Sequence, residues 1–137
     1  HWGHDISPEE NPYEAGLGFA VKLNKDYDFI GKNALINIKS QQNKKLVQFT
    51  LENSKPGEPL LLHDEPIYCD GKIVGETTSG NYSFNYNKNM SFGYIDLKEI
   101  KNELNQKEFQ IEIAKIKYKA NLQTKPLHDP NNILIKS

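Results

Sequence analysis

The dipeptide Asp70-Gly71, set between the apolar arms Ile67-Tyr68-Cys69 and Ile73-Val74, constrains this chain more than any other feature. Two apolar runs joined by a pair of residues that tolerate positive φ form a tight β-hairpin, because such a turn matches the twist of the strands it joins. Comparable segments surround it. Leu46 to Leu51, Glu58 to Leu62, Met90 to Ile95, Phe109 to Ile113 and Ile116 to Leu122 each have the apolar content of a short strand. Strands at this spacing predict a mainly β domain, a small antiparallel barrel or a jelly-roll-like sandwich. Leu97 to Leu104 reads as a short helix within one connection.

The pattern differs before the polar run Lys39 to Lys45. Residues 1–16 are polar and rich in turn formers, including Gly3, Pro8, Pro12 and Gly16. Leu17 to Leu23 alternates as a strand does, and Ile30, Ala34, Leu35 and Ile38 form one helical stripe with Asp28 as N-cap. The whole is therefore expected to be α+β. A strand-plus-helix segment over residues 1–43 precedes a β-barrel domain over residues 44–137.

Charge narrows the function. The chain has 17 basic and 18 acidic residues, a net of -1, which argues against a nucleic-acid backbone as partner. Every basic residue is lysine. Without arginine there is no bidentate fork for carboxylate or phosphate, so any anion site must use lysine, histidine or backbone N–H. The single cysteine, Cys69, excludes an internal disulfide and a multi-cysteine metal site. No run reaches the roughly 18 apolar residues of a membrane span. The opening His1-Trp2-Gly3-His4-Asp5-Ile6 has neither the basic nor the apolar region of a signal peptide, and we expect the chain to be part of something longer.

Motifs for chemistry are sparse. His1, His4, His63 and His128 include no HExxH pair, so no metal site is expected. His63-Asp64 reads as a polar turn, and Cys69 as a small strand residue. Gly16-Leu17-Gly18 opens a predicted strand, whereas a phosphate cradle follows a strand and opens a helix. Thr77 to Gly80 lacks the strand–elbow–helix setting of a nucleophile. Tyr82, Phe84 and Tyr86 alternate toward one face, to which Phe92 and Tyr94 add; that face is either barrel packing or a stacking surface. No catalytic residue is expected within these 137 residues.

Several segments, taken in order, resemble a known family. Trp2-Gly3-His4-Asp5-Ile6, Asn11-Pro12-Tyr13-Glu14-Ala15-Gly16-Leu17-Gly18-Phe19 and Asp28-Phe29-Ile30-Gly31-Lys32-Asn33-Ala34-Leu35 resemble the end of the folate-binding domain of the aminomethyltransferase, or glycine cleavage T-protein, superfamily. Lys45-Leu46-Val47, Asp70 to Gly75, Thr78 to Ser83, Phe92-Gly93-Tyr94-Ile95 and Pro126-Leu127-His128-Asp129-Pro130 are similar to its C-terminal barrel and closing segment. Within the superfamily the wording most resembles the folate domain of FAD-dependent dimethylglycine and sarcosine dehydrogenases.

The resemblance implies a parent enzyme in which a flavin domain oxidises an N-methyl amine and tetrahydrofolate captures the one-carbon unit. FAD and the catalytic residues would lie upstream of His1, so these 137 residues alone are expected to be catalytically silent. It further implies three candidate folate contacts. Phe19 matches an aromatic position near the pterin pocket, with a core strand residue as the alternative. Glu14 matches a recurrent acidic position whose role is folate contact or structure. His128 stands where relatives carry tyrosine. The implied partners are the upstream domains and a small methylamine or aminomethyl donor, in the cytoplasm or, in a eukaryote, the mitochondrial matrix. Apolar residues around Leu17, Phe19, Val21 and Leu35 would then be uncovered and favour self-association. Two other readings stand beside this one: a stand-alone aminomethyltransferase or folate-dependent demethylase without flavin, and a non-enzymatic interaction module using the aromatic face.

Overall fold

Six antiparallel strands close into a barrel in the computed structural model, which describes residues 1–100, 104 and 107–136. They are β1 (Lys44–Leu51), β2 (Pro66–Cys69), β3 (Lys72–Ser83), β4 (Lys88–Asp96), β5 (Phe109–Ile113) and β6 (Ile116–Gln123). Around the barrel the order is β1-β4-β3-β2-β5-β6, and β6 pairs back onto β1. The expected small antiparallel barrel is the fold observed, closed rather than a two-sheet sandwich.

The Asp70-Gly71 hairpin forms as the sequence predicts. Both residues have positive φ, 48° and 84°, and the turn joins β2 to β3. The β5–β6 turn has the same geometry at Ala114 and Lys115, with φ of 49° and 68°. β3 is long enough to pair with β2 at one end and β4 at the other. Register shifts at Ile67/Tyr68 and at Thr77/Ser79 give the bends that closure requires.

Alternation places the apolar residues of these strands inside. Val47, Phe49, Leu51, Ile67, Val74, Ile95, Phe109, Ile111 and Ile113 fill the interior, with the Phe49 and Phe109 rings 5.4 Å apart. Leu61 enters the same core, although the expected strand Glu58–Leu62 does not form. Pro59 has no N–H to give a ladder, and the chain turns through Lys55 and Glu58, each of which accepts the other's amide.

The N-terminal expectations need two further corrections. Leu17 to Leu23 is not a strand; Gly18–Ala20 is a 3₁₀ turn. Gly16 at φ 73° breaks the extension, and the amides of Leu17, Ala20 and Val21 are used by Pro12, Leu17 and Gly18 carbonyls rather than by a neighbouring strand. The helix is real but shorter, α1 over Lys32–Ile38, and its N-cap is Gly31 at φ 89°. Asp28 bonds only the next amide, that of Phe29. Of the expected helix Leu97–Leu104, residues 97–100 form a turn and a bend rather than a helix, and residues 101–103 lie outside those described. Tyr82 ends up on β3, but Phe84 and Tyr86 lie in the β3–β4 turn, so the three do not share a strand face.

Candidate functional site

Residues 1–16 form a strap across the outside of β1, β3 and β4, held by acidic residues. Asp5 Oδ1 accepts from Thr78 Oγ1 at 2.6 Å and Ser79 Oγ at 2.7 Å, and its backbone carbonyl accepts from Tyr94 OH at 2.9 Å. Glu10 Oε1 meets Lys44 Nζ at 2.6 Å, and the same ammonium lies 4.9 Å from the Tyr94 ring centroid. Glu14 is buried; its backbone carbonyl takes the Leu46 amide at 2.8 Å and its carboxylate takes the amides of Asn11 and Asn43. These contacts join the expected N-terminal segment to the first strand of the barrel.

Electrostatics follow from that packing. Desolvation pushes the Asp5 carboxyl up, but in the 137-residue chain the free amino group of His1 and the Thr78 and Ser79 hydroxyls outweigh it and leave the group below its ordinary 3.8. Glu10 behaves alike: desolvation is outweighed by Lys44 and Ser7, and its carboxyl lies below 4.5. Burial, with the charges of Glu10, Glu14 and Asp5, raises the Tyr94 phenol well above its usual value.

Depressed carboxyl pKa values set the sign of a pH effect. The strap's contribution to stability is complete above about pH 4.5 and is lost as pH falls through the lower folded values. Fluorescence of Trp2, the single tryptophan and part of the strap, is expected to report its release before the barrel's far-UV signal changes. Simultaneous loss of both signals would contradict a separately held strap.

A second feature lies where the closing segment returns along β1. A groove of about 430 Å³ runs between Leu46 and Val47 of β1, Met90 and Phe92 of β4, and residues 123–128, with Tyr86 and Gly16 at its edges. Its walls are mainly apolar, and Lys125 and His128 supply the cationic and titratable groups. Gln48 pairs with Phe92 and Thr50 with Met90, so ladder geometry turns these side chains to the outside. The Leu46 amide is fixed by Glu14.

His128 also borders a shallow cleft with Asp129, Asn132 and Leu134. Asp129 Oδ1 accepts the Ile133 amide at 2.6 Å, and Oδ2 accepts those of Leu134 and Ile135 at 3.1 and 3.2 Å. Desolvation acts upward on this carboxyl, but the three amides and the His128 imidazole hold it below its usual range. The Asp129 turn thereby fixes the backbone beside His128.

The three predicted site residues are thus separated by role. Glu14 is a buried brace, which supports its structural alternative. Phe19 is 77% exposed on the 3₁₀ turn, so it is no core strand residue, and it does not line the His128 groove. His128 is exposed at the groove's end. Asp5, Tyr94 and Asp129 were not singled out as site residues. Asp129-Pro130-Asn131-Asn132 did carry an Asx-turn signal, whereas the Asp5–Thr78 contact spans 73 residues and left no local trace. The His4 and His63 rings stand 5.4 Å apart, and among the described residues no three His, Cys, Asp or Glu side chains form a group able to hold a metal ion.

Residues 44–129 match the glycine cleavage T-protein C-terminal barrel domain. The chain belongs to that family. Human mitochondrial dimethylglycine dehydrogenase is 39% identical over 127 residues, covering 92% of this chain and 14% of that protein. An aminomethyltransferase of Alkaliphilus metalliredigens is 38% identical over 133 residues, covering 95% of this chain and 34% of that protein. The crystal structure of the glycine cleavage system aminomethyltransferase T from Bartonella henselae superposes with a TM-score of 0.74 at 20% identity, over 90% of this chain and 34% of that one, and shares its fold. The T-protein resemblance drawn from the ordered motifs is therefore correct. As a family member the chain spans only 14% of the length of the dehydrogenases it matches. No helix among the described residues is long and apolar enough to cross a membrane.

Proposed function

We propose that the chain is the C-terminal part of a tetrahydrofolate-dependent one-carbon enzyme of the FAD-linked dimethylglycine or sarcosine dehydrogenase kind. The observation that carries this reading is the likeness to dimethylglycine dehydrogenases over 92% of the chain, extending well upstream of the barrel. Residues 1–43 then belong with a preceding folate-binding domain, and the exposed side chains of Leu17, Phe19, Ile30 and Ile36 face that domain. The cytoplasm, or the mitochondrial matrix in a eukaryote, is the matching compartment.

The donor set of the His128 groove fits part of tetrahydrofolate. Apolar walls at Leu46, Met90 and Phe92 accept a flat ring, while Lys125 and His128 suit a carboxylate. Phe19 offers a second exposed ring toward the upstream side. Glu14 acts through the backbone it braces, fixing Leu46 at the groove's edge. When bound, tetrahydrofolate accepts the one-carbon unit. This chain's residues exclude water and orient the ligand, and proton handling belongs to groups upstream. No FAD contact is assigned here, because Gly16-Leu17-Gly18 leads into a 3₁₀ turn and not from a strand into a helix.

A second reading is supported by an aminomethyltransferase of Symbiobacterium thermophilum, 45% identical over 95 residues. The product of the complete reading frame distinguishes the two. A flavin absorbance with dimethylglycine oxidation supports the first reading. Aminomethyl transfer without flavin supports the second. In either case the 137-residue chain alone is expected to give no turnover, and turnover by it would overturn its assignment as a supporting part.

A further inference from the structure

We propose that the strap, latched by Asp5 and Glu10, holds the His128 groove open by taking the backbone position at which β6 would otherwise pair with β1. The groove lies where these two strands part. Their register runs from Leu51 opposite Ala120 to Gln48 opposite Gln123, and the chain then bends away at Thr124 and Lys125. Continued in the same register, β6 would bring Lys125 opposite Leu46.

Alternation fixes the side to which each β1 amide turns. Even-numbered residues face β6: just past β1, the Glu52 amide bonds the Lys119 carbonyl at 3.0 Å. Odd-numbered residues face β4: just before β1, the Asn43 carbonyl accepts the Leu97 amide at 2.8 Å. Leu46 therefore turns its amide to the β6 side, where the Lys125 carbonyl would receive it. It donates instead to the Glu14 carbonyl of the strap, at 2.8 Å. The residues after Gln123 suit a longer β6. Lys125 precedes a proline and so favours extended backbone. Pro126, which has no amide proton, falls opposite Lys45, where its nitrogen would point away from β1.

Two exclusive arrangements follow. With the strap seated, Asp5 holds the Thr78 and Ser79 hydroxyls, Glu10 holds Lys44, and the groove is open. With the strap released, Leu46 and Lys125 exchange a pair of ladder bonds and the groove between them closes. Bonds to charged groups are roughly twice as strong as neutral ones. The seated state therefore wins while both carboxylates are engaged, and loses when they are removed. A groove ligand and the strap favour the same state, whichever ligand the groove takes.

NMR of the 137-residue chain tests this, with Asp5→Ala combined with Glu10→Gln to release the strap and Trp2 fluorescence to report the release. In the parent, a through-hydrogen-bond coupling joins the Leu46 nitrogen to the Glu14 carbonyl carbon. In the double variant that coupling is expected to move to the Lys125 carbonyl carbon. An Hα–Hα contact between Val47 and Thr124, the mark of the non-hydrogen-bonded pair, should appear with it. Exchange of the Lys125 amide should slow about tenfold, as one added hydrogen bond implies. Adding Lys125→Pro removes that donor and is expected to abolish both signals while the strap stays released. Glu10→Gln alone, a milder change, should show the Val47–Thr124 contact at reduced intensity even if the double variant fails to fold. A Leu46 amide that stays on Glu14, or that exchanges freely with solvent once the strap is released, would overturn the switch. So would the absence of the Val47–Thr124 contact from every folded variant that keeps Lys125.

Discussion

Gly75→Ala is expected to destabilise the barrel by about 3 kcal/mol, at the upper end of overpacking penalties. Gly75 lies in β3 between Ile67 of β2 and Ile95 of β4, in the section of β3 that pairs on both sides. A Cβ built there falls 1.8 Å from the Tyr94 carbonyl oxygen and 3.1 Å from Ile95 Cα. Both are backbone atoms, so no rotamer change relieves the contact; the β3–β4 ladder itself must move. Thermal unfolding should fall by roughly 10 °C. A midpoint within about 2 °C of the parent would show that the ladder shifts at little cost.

Phe49→Ala should cost about 3–5 kcal/mol, because it removes a ring from the centre of the core. Phe49 is 0% exposed, and its ring packs 5.4 Å from that of Phe109 across the barrel. Walls held by a closed hydrogen-bonded ladder collapse poorly into a void, which favours the upper part of that range. Urea unfolding should show a lower midpoint at unchanged slope. Phe19→Ala supplies the contrast. Its ring is exposed, so stability should change by no more than about 0.5 kcal/mol. Equal losses at positions 19 and 49 would mean that the core is misassigned.

The barrel was legible because its information is local. Asp70-Gly71 specifies a turn by its own φ preferences, and strands such as Phe109–Ile113 show buried and half-buried residues alternating one by one. What failed to show was decided elsewhere. Leu17 to Leu23 has a strand's pattern but no ladder to join, so turns absorb its amides and Phe19 is left outside. Glu58 to Leu62 has the leucines of a strand, yet of these leucines only Leu61 is buried, where it enters the core. Ala114-Lys115 adopts a left-handed turn without glycine or asparagine, so composition did not mark it.

The candidate site divides the same way. His128 and Phe19 were visible through ordered family motifs, which carry information that periodicity lacks. The strap was not. Asp5 meets Thr78 and Ser79, and Glu10 meets Lys44, only after closure brings distant segments together. Glu14 illustrates the difference: its acidic character was noted, but its burial and its brace on Leu46 depend on where β1 begins.

The most direct measurement is transfer of a one-carbon unit to tetrahydrofolate by the product of the complete reading frame, in parallel with the 137-residue chain. The complete product is expected to form methylene-tetrahydrofolate from dimethylglycine, sarcosine or an aminomethyl donor, and the shorter chain is not. A complete product that neither binds tetrahydrofolate nor transfers carbon to it would contradict the proposed function, whatever the barrel's stability.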